Sequence, residues 1–488
     1  MKIFKPILII LILALQFSCE SWLETLPPGG LVRDEFWKTK EDVEAVLMGA
    51  YESFSRRDGD LFKYGEMRAD LVTYDNNLDE DERKIMEGNI HPENKMCNWN
   101  EFYKIINYCN EIIKNAPDVQ NIDNTFTDYH LQSITAEAIF LRGLCYFYLV
   151  RIFRDVPFVT EPSENDDSEF YLPKTDGDEI INYLIPELKN ARQYATTDGY
   201  QTYNEIKGRA TKAAFDALLA DMNLWMFNYD ECINYVNNIE YSEDFELMPG
   251  GSWFQIFYPG NSLEGIFEFQ FDARANQNNS TYNLTAQWSE NYDPSETAIR
   301  IFGKEFAKEL VRGEDASIRK FGEDDFIVWK YVGRAPDGKS YRSGSEQASC
   351  NWIVYRYADV LLMKAEALSQ TGRFPEALHY INLIRTRAGA EALQLADSRA
   401  AYEDAIMQER ALEFAFEGKR WFDLLRMGRR DNFNRKNKLI EVVVQNVPAT
   451  QKRILAVKLT NPSGWYLPIH EEEMERNKNL IQNPYYKF

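Results

Sequence analysis

Two stretches of this chain place a small residue twelve positions after another across what reads as a helical hairpin, and few features restrict a fold more. In residues 355–387, Ala377 follows Ala365 by twelve, and Phe374 stands three residues before Ala377. In residues 208–239, Cys232 follows Ala220 by the same interval, and Tyr229 stands three residues before Cys232. Small side chains so spaced let two antiparallel helices approach closely across a tight turn, while the aromatic ring packs beside the turn.

This is the spacing logic of tetratricopeptide-type helix pairs, whose period is about 34 residues. Apolar residues at helical spacing also run through 42–54, 99–114, 131–153, 178–194, 208–227, 229–239, 355–370 and 375–387, and 401–427 adds one or two helices more. Residues 131–194, with Ala136 and Ala138, supply a third candidate pair, and 42–115 a fourth interrupted by a long insert. Between residues 245 and 350 the character changes. Short apolar and aromatic runs, GIFEFQF (265–271) and DFIVWKYV (325–332), sit among Gly, Asn, Asp and Pro and predict short strands joined by long loops. The expectation is a mainly α helical-repeat scaffold of about four pairs, with an irregular segment packed on it. The parts are an N-terminal helical part (19–244), the irregular segment (245–350) and a C-terminal helical part (351–488), together one domain.

The N-terminus has a separate logic. Lys2 and Lys5 precede a nearly unbroken apolar run, residues 6–17, that ends at Ser18 and Cys19. The run is shorter than the roughly 20 residues a membrane span needs, but fits the 7–15 or so of a secretory signal. This layout resembles a bacterial lipoprotein precursor, in which the cysteine is acylated after residues 1–18 are removed; Gln16 departs from that pattern, and simple cleavage is the alternative. Loss of Lys2 and Lys5 would move the formal charge from −22 to −24. So acidic a domain repels nucleic acid and anionic head groups, so its membrane anchor would be the lipid and no basic patch.

Cys97, Cys109, Cys145, Cys232 and Cys350 are odd in number and lack C-x-x-C spacing, and the chain holds four histidines. A disulfide framework and a zinc site are therefore not expected; the cysteines read as small core residues, with at most one or two pairs bridged. No nucleophilic triad order or phosphate loop is present, and with 77 acidic residues a carboxylate pair carries no specificity.

The segments YRYADVLLMKAEALSQTGRFPEALHYINLIRTRAG (355–389), QERALEFAFEGKRWFDLLRMG (408–428), WYLPIHEEEMERNKNLIQNPYY (465–486), AEAIFLRGLCYFYLVRIFRDVPFV (136–159), GRATKAAFDALLADMNLW (208–225) and FWKTKEDVEAVLMGAY (36–51) occur in one order along the chain. With the lipoprotein-like start, the sequence closely resembles the SusD/RagB family, the surface nutrient-binding lipoproteins of Bacteroidetes. The resemblance implies a helical-repeat fold, a non-catalytic role, an outer-membrane lipid anchor at Cys19 facing the exterior, and a SusC-like TonB-dependent transporter as partner. It further implies an oligosaccharide or polysaccharide ligand, or a peptide in RagB-like members. A glycoside-acting enzyme and a protein-interaction scaffold are the competing readings.

Within the motifs, Arg142, Arg420, Trp421, Asp423 and Arg426 are read as core-spanning ion pairs and packing, and Trp465 and Pro468 as a C-terminal tether. Ligand contacts are expected on irregular stretches carried by the rigid scaffold, where aromatic rings stack on sugar faces and Asn, Asp or Arg bond the hydroxyls. Two stretches offer that mixture. Residues 74–84 contribute Tyr74, Asn76 and Asn77; residues 271–292 contribute Arg274, Asn276, Tyr282, Trp288 and Tyr292. Asp75, Asn77 and Asp79 alternate as in a calcium loop, but Glu80 and Met86 stand where an EF-hand needs Gly and Glu, which leaves room only for an irregular calcium site. No cofactor is expected otherwise.

Overall fold

The computed structural model describes residues 36–74, 78–163, 171–198, 200, 202–285, 291–304, 311–321, 325–335, 337, 340, 342, 348–447 and 449–486. In chain order its main elements are α1 (Lys40–Ser55), α2 (Asp58–Glu66), β1 (Val72–Tyr74), α3 (Glu80–Met86), α4 (Asn100–Ile122), α5 (Asp128–Phe153), β2 (Val156–Pro157), β3 (Lys174–Thr175), α6 (Gly177–Ala191), α7 (Tyr203–Lys207), α8 (Lys212–Trp225) and α9 (Tyr229–Tyr241). There follow β4 (Gly265–Phe269), α10 (Ser280–Thr285), β5 (Tyr292–Pro294), α11 (Glu296–Phe302), β6 (Ile318–Phe321), β7 (Asp325–Val328), β8 (Trp352–Arg356), α12 (Tyr357–Gln370), α13 (Phe374–Arg387), α14 (Arg399–Phe414), α15 (Arg420–Phe433), α16 (Lys436–Val443), α17 (Ala449–Leu459) and α18 (Glu471–Arg476).

The helices start where the sequence offers caps. Thr39 closes a capping box with Asp42 on α1, Thr127, Asp176 and Thr211 accept first-turn amides of α5, α6 and α8, and α13 has proline in its first turn. All four expected pairs pack: α1 on α4, α5 on α6, α8 on α9 and α12 on α13. The pairs then stack in sequence through contacts of α4 with α5, α6 with α8, and α9 with α12. Ala220, Cys232, Ala365 and Ala377 are all fully buried at the closely approaching seams. Helix α5 is long and apolar enough to cross a membrane, but 89% of its apolar window is buried against its neighbours, as the central helix of a core. The five described cysteines are free and buried.

The strands form four two-stranded antiparallel ribbons. GIFEFQF becomes β4, but its partner β8 begins a segment whose sequence spacing predicts helix from Tyr355; WIVYR is β-branched and aromatic, is buried on both faces, and extends before the helix starts at Tyr357. The 401–427 run is two helices. Phe416 and Gly418 take left-handed φ of 67° and 70° and turn the chain between α14 and α15.

Charge, as well as apolar area, joins the middle segment to the scaffold. Arg356, at the end of β8, donates to Glu413 at 2.7 Å and Glu417 at 2.8 Å and pairs with Glu264; all four side chains are fully buried. From the middle segment Arg312 reaches Glu409 (2.7 Å) and Glu413 (2.8 Å), and Lys330 reaches Glu417 at 3.0 Å. The family-motif residues form a neighbouring network. Arg420 donates to Asp70 at 2.7 Å, Asp423 accepts from Arg410 at 2.7 Å and Arg426 at 3.0 Å, and Arg426 grips Glu366. Arg142 donates to Asn110 and Glu187, both at 2.6 Å, while Trp421 is buried beneath Arg68. At the C-terminus Trp465 is fully buried, and the Leu467 amide donates to the Ile152 carbonyl at 2.9 Å, which tethers the tail to α5.

Candidate functional site

An open cleft of about 780 Å³ lies where the outer face of α1 meets the chain leaving β4. Helix α1 and the residue after it supply Met48, Tyr51, Glu52, Ser55 and Arg56, and the strand exit supplies Phe269, Gln270 and Phe271. The turn beyond supplies Asn276, Gln277 and Asn278.

That turn is built locally and held from behind. The Asp272 side chain accepts from the Arg274 amide at 2.9 Å, and the Gln277 amide donates to the Asp272 carbonyl at 2.9 Å. Asn276 sits between them at φ 61°, a left-handed position that asparagine tolerates. Behind the turn, the Phe271 amide donates to Asn351 Oδ1 at 3.2 Å, the Ala273 amide to Ser349 Oγ at 3.1 Å, and Asn279 Nδ2 to the Cys350 carbonyl at 2.6 Å. Its far side continues into α10, whose Thr281 amide donates to the buried Asp58 carboxylate at 3.0 Å. Burial pushes Asp58 up to about 6, against the pull of that amide.

The floor on the α1 side is equally fixed. Tyr51 donates to Glu137 Oε2 at 2.6 Å and accepts from the Ala210 amide at 3.0 Å. Arg209 grips both Glu137 oxygens, at 2.7 and 2.6 Å, and its guanidinium stands 5.2 Å from the ring centres of both Tyr51 and Tyr200. Burial, then Glu137, pushes the Tyr51 phenol well above its ordinary range, so it remains a neutral hydroxyl. Gln270 exchanges amide bonds with Asn261 at 2.8 and 2.9 Å. The result is a trough of amides with the Ser55 hydroxyl, the half-buried Phe271 ring and the exposed Glu52–Arg56 pair, chemistry that suits a polyhydroxylated ligand with apolar faces.

Of the residues singled out from sequence, Asn276 lines the cleft, and Arg274 is exposed on the same turn. Tyr282 lies half-buried on α10, next to the second, smaller core around Trp253, Phe257 and Tyr331. Tyr292 is a correction: it is 1% exposed and donates to the buried Glu82 at 2.6 Å, so the aromatic ring belongs to the core and is closed to a ligand. Tyr74 is half-buried and donates to Glu87 at 2.8 Å. Tyr74 and Tyr292 are register partners in the β1–β5 ribbon, which joins the two candidate stretches at one end. Asn76, Asn77, Trp288 and Cys19 lie outside the described residues. The 74–84 stretch also differs from the expected loop, since Glu80–Met86 is helical and Asp79 caps it while pairing with Lys95 at 2.8 Å. Among the described residues no group of three His, Cys, Asp or Glu side chains gathers as for a metal ion.

The outer face of α1 was not legible as site. Glu52 and Arg56, four apart, read as an ordinary surface pair, and nothing local says that a turn 220 residues later faces them. A smaller hollow of about 260 Å³, lined by residues of α11, α14, α15 and α16, is bordered by Asp70 and Arg420, which are paired with each other.

Two family models match. Residues 305–486 match the model described as SusD family, and residues 21–224 the one described as starch-binding associating with outer membrane. SusD-like protein P38 of Formosa agariphila is 26% identical, over 93% of this chain and 96% of its own length; SusD-like protein P2 of the same organism is 27% identical over 99% of each. Among solved structures, a SusD superfamily protein from Bacteroides vulgatus superposes with a TM-score of 0.77 at 22% identity, covering 92% of this chain and all of that one. The surface glycan-binding protein A of Bacteroides uniformis superposes with a TM-score of 0.73 at 23% identity, covering 92% and 100%. The stacked helix pairs, the motif residues buried in ion pairs, and these matches along nearly the whole length agree: this is a SusD-like protein, matched by the SusD family model over its C-terminal part.

Proposed function

We propose that this protein is a surface receptor that captures oligosaccharides in the α1 cleft and delivers them to a SusC-like TonB-dependent transporter in the outer membrane, to which it is anchored through acylated Cys19. The observation that carries the reading is the cleft's lining, in which Asn276, Gln277, Asn278, Ser55 and Phe271 meet on a scaffold rigid enough to hold them. Its relatives' names support the same direction, since one matching model is described as starch-binding and one structural neighbour as glycan-binding. A receptor that hands on its ligand needs moderate affinity and fast release, which a shallow, open, polar trough gives. Hydrolysis by two carboxylates about 5–10 Å apart lacks support here: among the described lining residues Glu52 is the carboxylate, and it is paired with Arg56. The reading requires no cofactor.

Calorimetric titration of the domain after Cys19 with a panel of glycans and peptides tests this. A glycan should bind and be recovered unchanged. Binding of peptides alone would move the assignment to the RagB-like alternative, and a cleaved glycan would contradict a non-catalytic role. In cells, Cys19→Ser should move the protein out of the membrane fraction.

A further inference from the structure

We infer that Asn351, buried behind the cleft, is a positioning residue for ligand capture: it fixes the strand exit from which the turn carrying Asn276, Gln277 and Asn278 departs. The inference rests on the oligosaccharide reading above. Asn351 stands immediately before β8 and is 2% exposed. Its Nδ2 donates to Glu268 Oε2 at 2.9 Å and to Gln270 Oε1 at 3.1 Å, while its Oδ1 accepts from the Phe271 amide at 3.2 Å. One side chain thus holds two consecutive residues of the lining. It is itself held by Glu268, which is fully buried and also accepts from the Asn261 amide at 2.9 Å.

The two sides of the cleft differ in what they can still bond. Gln270 Oε1 accepts from Asn261 Nδ2 at 2.8 Å as well as from Asn351, and Gln270 Nε2 donates to Asn261 Oδ1 at 2.9 Å and to the Glu268 carbonyl at 3.1 Å. A primary amide has two hydrogens and two lone-pair sites, so Gln270 has none left for a sugar hydroxyl and acts as a strut. Asn276, Gln277 and Asn278 are exposed, and their side chains bond no other described residue. Hydrogen bonds to a ligand therefore fall to the turn, and the turn stands where residues 349–351 hold it, through Phe271, Ala273 and Asn279. Donors fixed before binding lose less entropy on binding, which raises affinity.

The experiment reads affinity for a glycan that the parent binds, and thermal midpoint separately, at a temperature where every variant is folded. Asn351→Ala should weaken binding about tenfold. In a background of Asn276→Gly, Gln277→Ala and Asn278→Ala, which lacks the amides to be positioned, the same substitution should cost less than about twofold further. Ser349→Ala removes the Oγ that holds the Ala273 amide and should weaken binding about two- to threefold, a milder change that decides the matter even if Asn351→Ala does not fold. A residue that only stabilises the fold would lower the midpoint and leave the affinity of the folded protein unaltered; that result would overturn the inference while the receptor reading stands. Equal losses in the two backgrounds would overturn it too. A parent that binds no glycan would overturn both.

Discussion

The contact between Gly65 and Gly418 shows how much a single residue can decide. A Cβ on Gly65 would lie 1.9 Å from the Gly418 carbonyl oxygen, and Gly418 itself takes φ 70° against Trp352 and Leu61. Backbone meets backbone there, so no side chain fits. The adjoining Glu66 is fully buried and accepts from the Gly418 amide at 2.9 Å and the Lys419 amide at 3.3 Å. Burial pushes Glu66 from 4.5 up to about 8, although both amides oppose the rise. Its folded pKa lies above its ordinary one, so the folded state holds a proton that the unfolded chain releases between those values. Stability from this group is therefore full below about 4.5 and is lost as pH rises through about 8, by an amount on the order of a few kcal/mol. Glu66→Gln keeps an acceptor and removes the titration. Its thermal midpoint relative to the parent should climb between pH 5 and pH 9, and an offset independent of pH would refute this account. The sequence displayed the neighbouring Arg420 and Trp421 as structural, and both are buried, Arg420 in an ion pair with Asp70; it did not display the partner of Gly418, since Gly65 is some 350 residues away and carries no periodic signal.

Elements were legible where periodicity ran long and illegible where tertiary burial overrode it. The helices of all four pairs follow from apolar spacing, with small residues marking the seams of α8–α9 and α12–α13, whereas β8 was hidden because YRYADVLLMK reads as continuous helix until WIVYR finds β4 to pair with. What positions β4, β8 and α14 relative to one another is the buried network around Arg356. Burial opposes its charged partners, yet Arg387, Arg356 and Arg312 together hold Glu413 well below the carboxylate range. Such networks contribute little net stability beyond an apolar equivalent, but removing one member strands the others. Arg356→Met leaves Glu264, Glu413 and Glu417 short of a counter-charge and should cost about 3–5 kcal/mol in denaturant unfolding at neutral pH. A loss near zero would mean that the segment is held by apolar packing alone. Glu413 is depressed by its cations, so its contribution is present above the ordinary carboxylate pKa and lost as pH falls below it; the parent should lose stability on acidification more steeply than the variant.

Across the whole molecule, the stack of pairs makes a rigid wall, and the site is assembled on its edge from parts remote in sequence. Of the candidate stretch 271–292, Phe271, Asn276, Gln277 and Asn278 line the cleft, while Tyr292 is buried. The other wall, the face of α1 from Met48 to Arg56, was invisible because a polar helical face looks alike whether it meets solvent or a ligand. Only the fold brings the two together. Replacement of Asn276 by glycine, which accepts the same left-handed φ, and of Gln277 and Asn278 by alanine tests that assembly most directly, since all three are exposed. Titrated with a glycan that the parent binds, the triple variant should lose at least about tenfold in affinity, about 1.4 kcal/mol, with an unchanged thermal midpoint. Undiminished binding by a stably folded triple variant would place the ligand elsewhere and contradict the account.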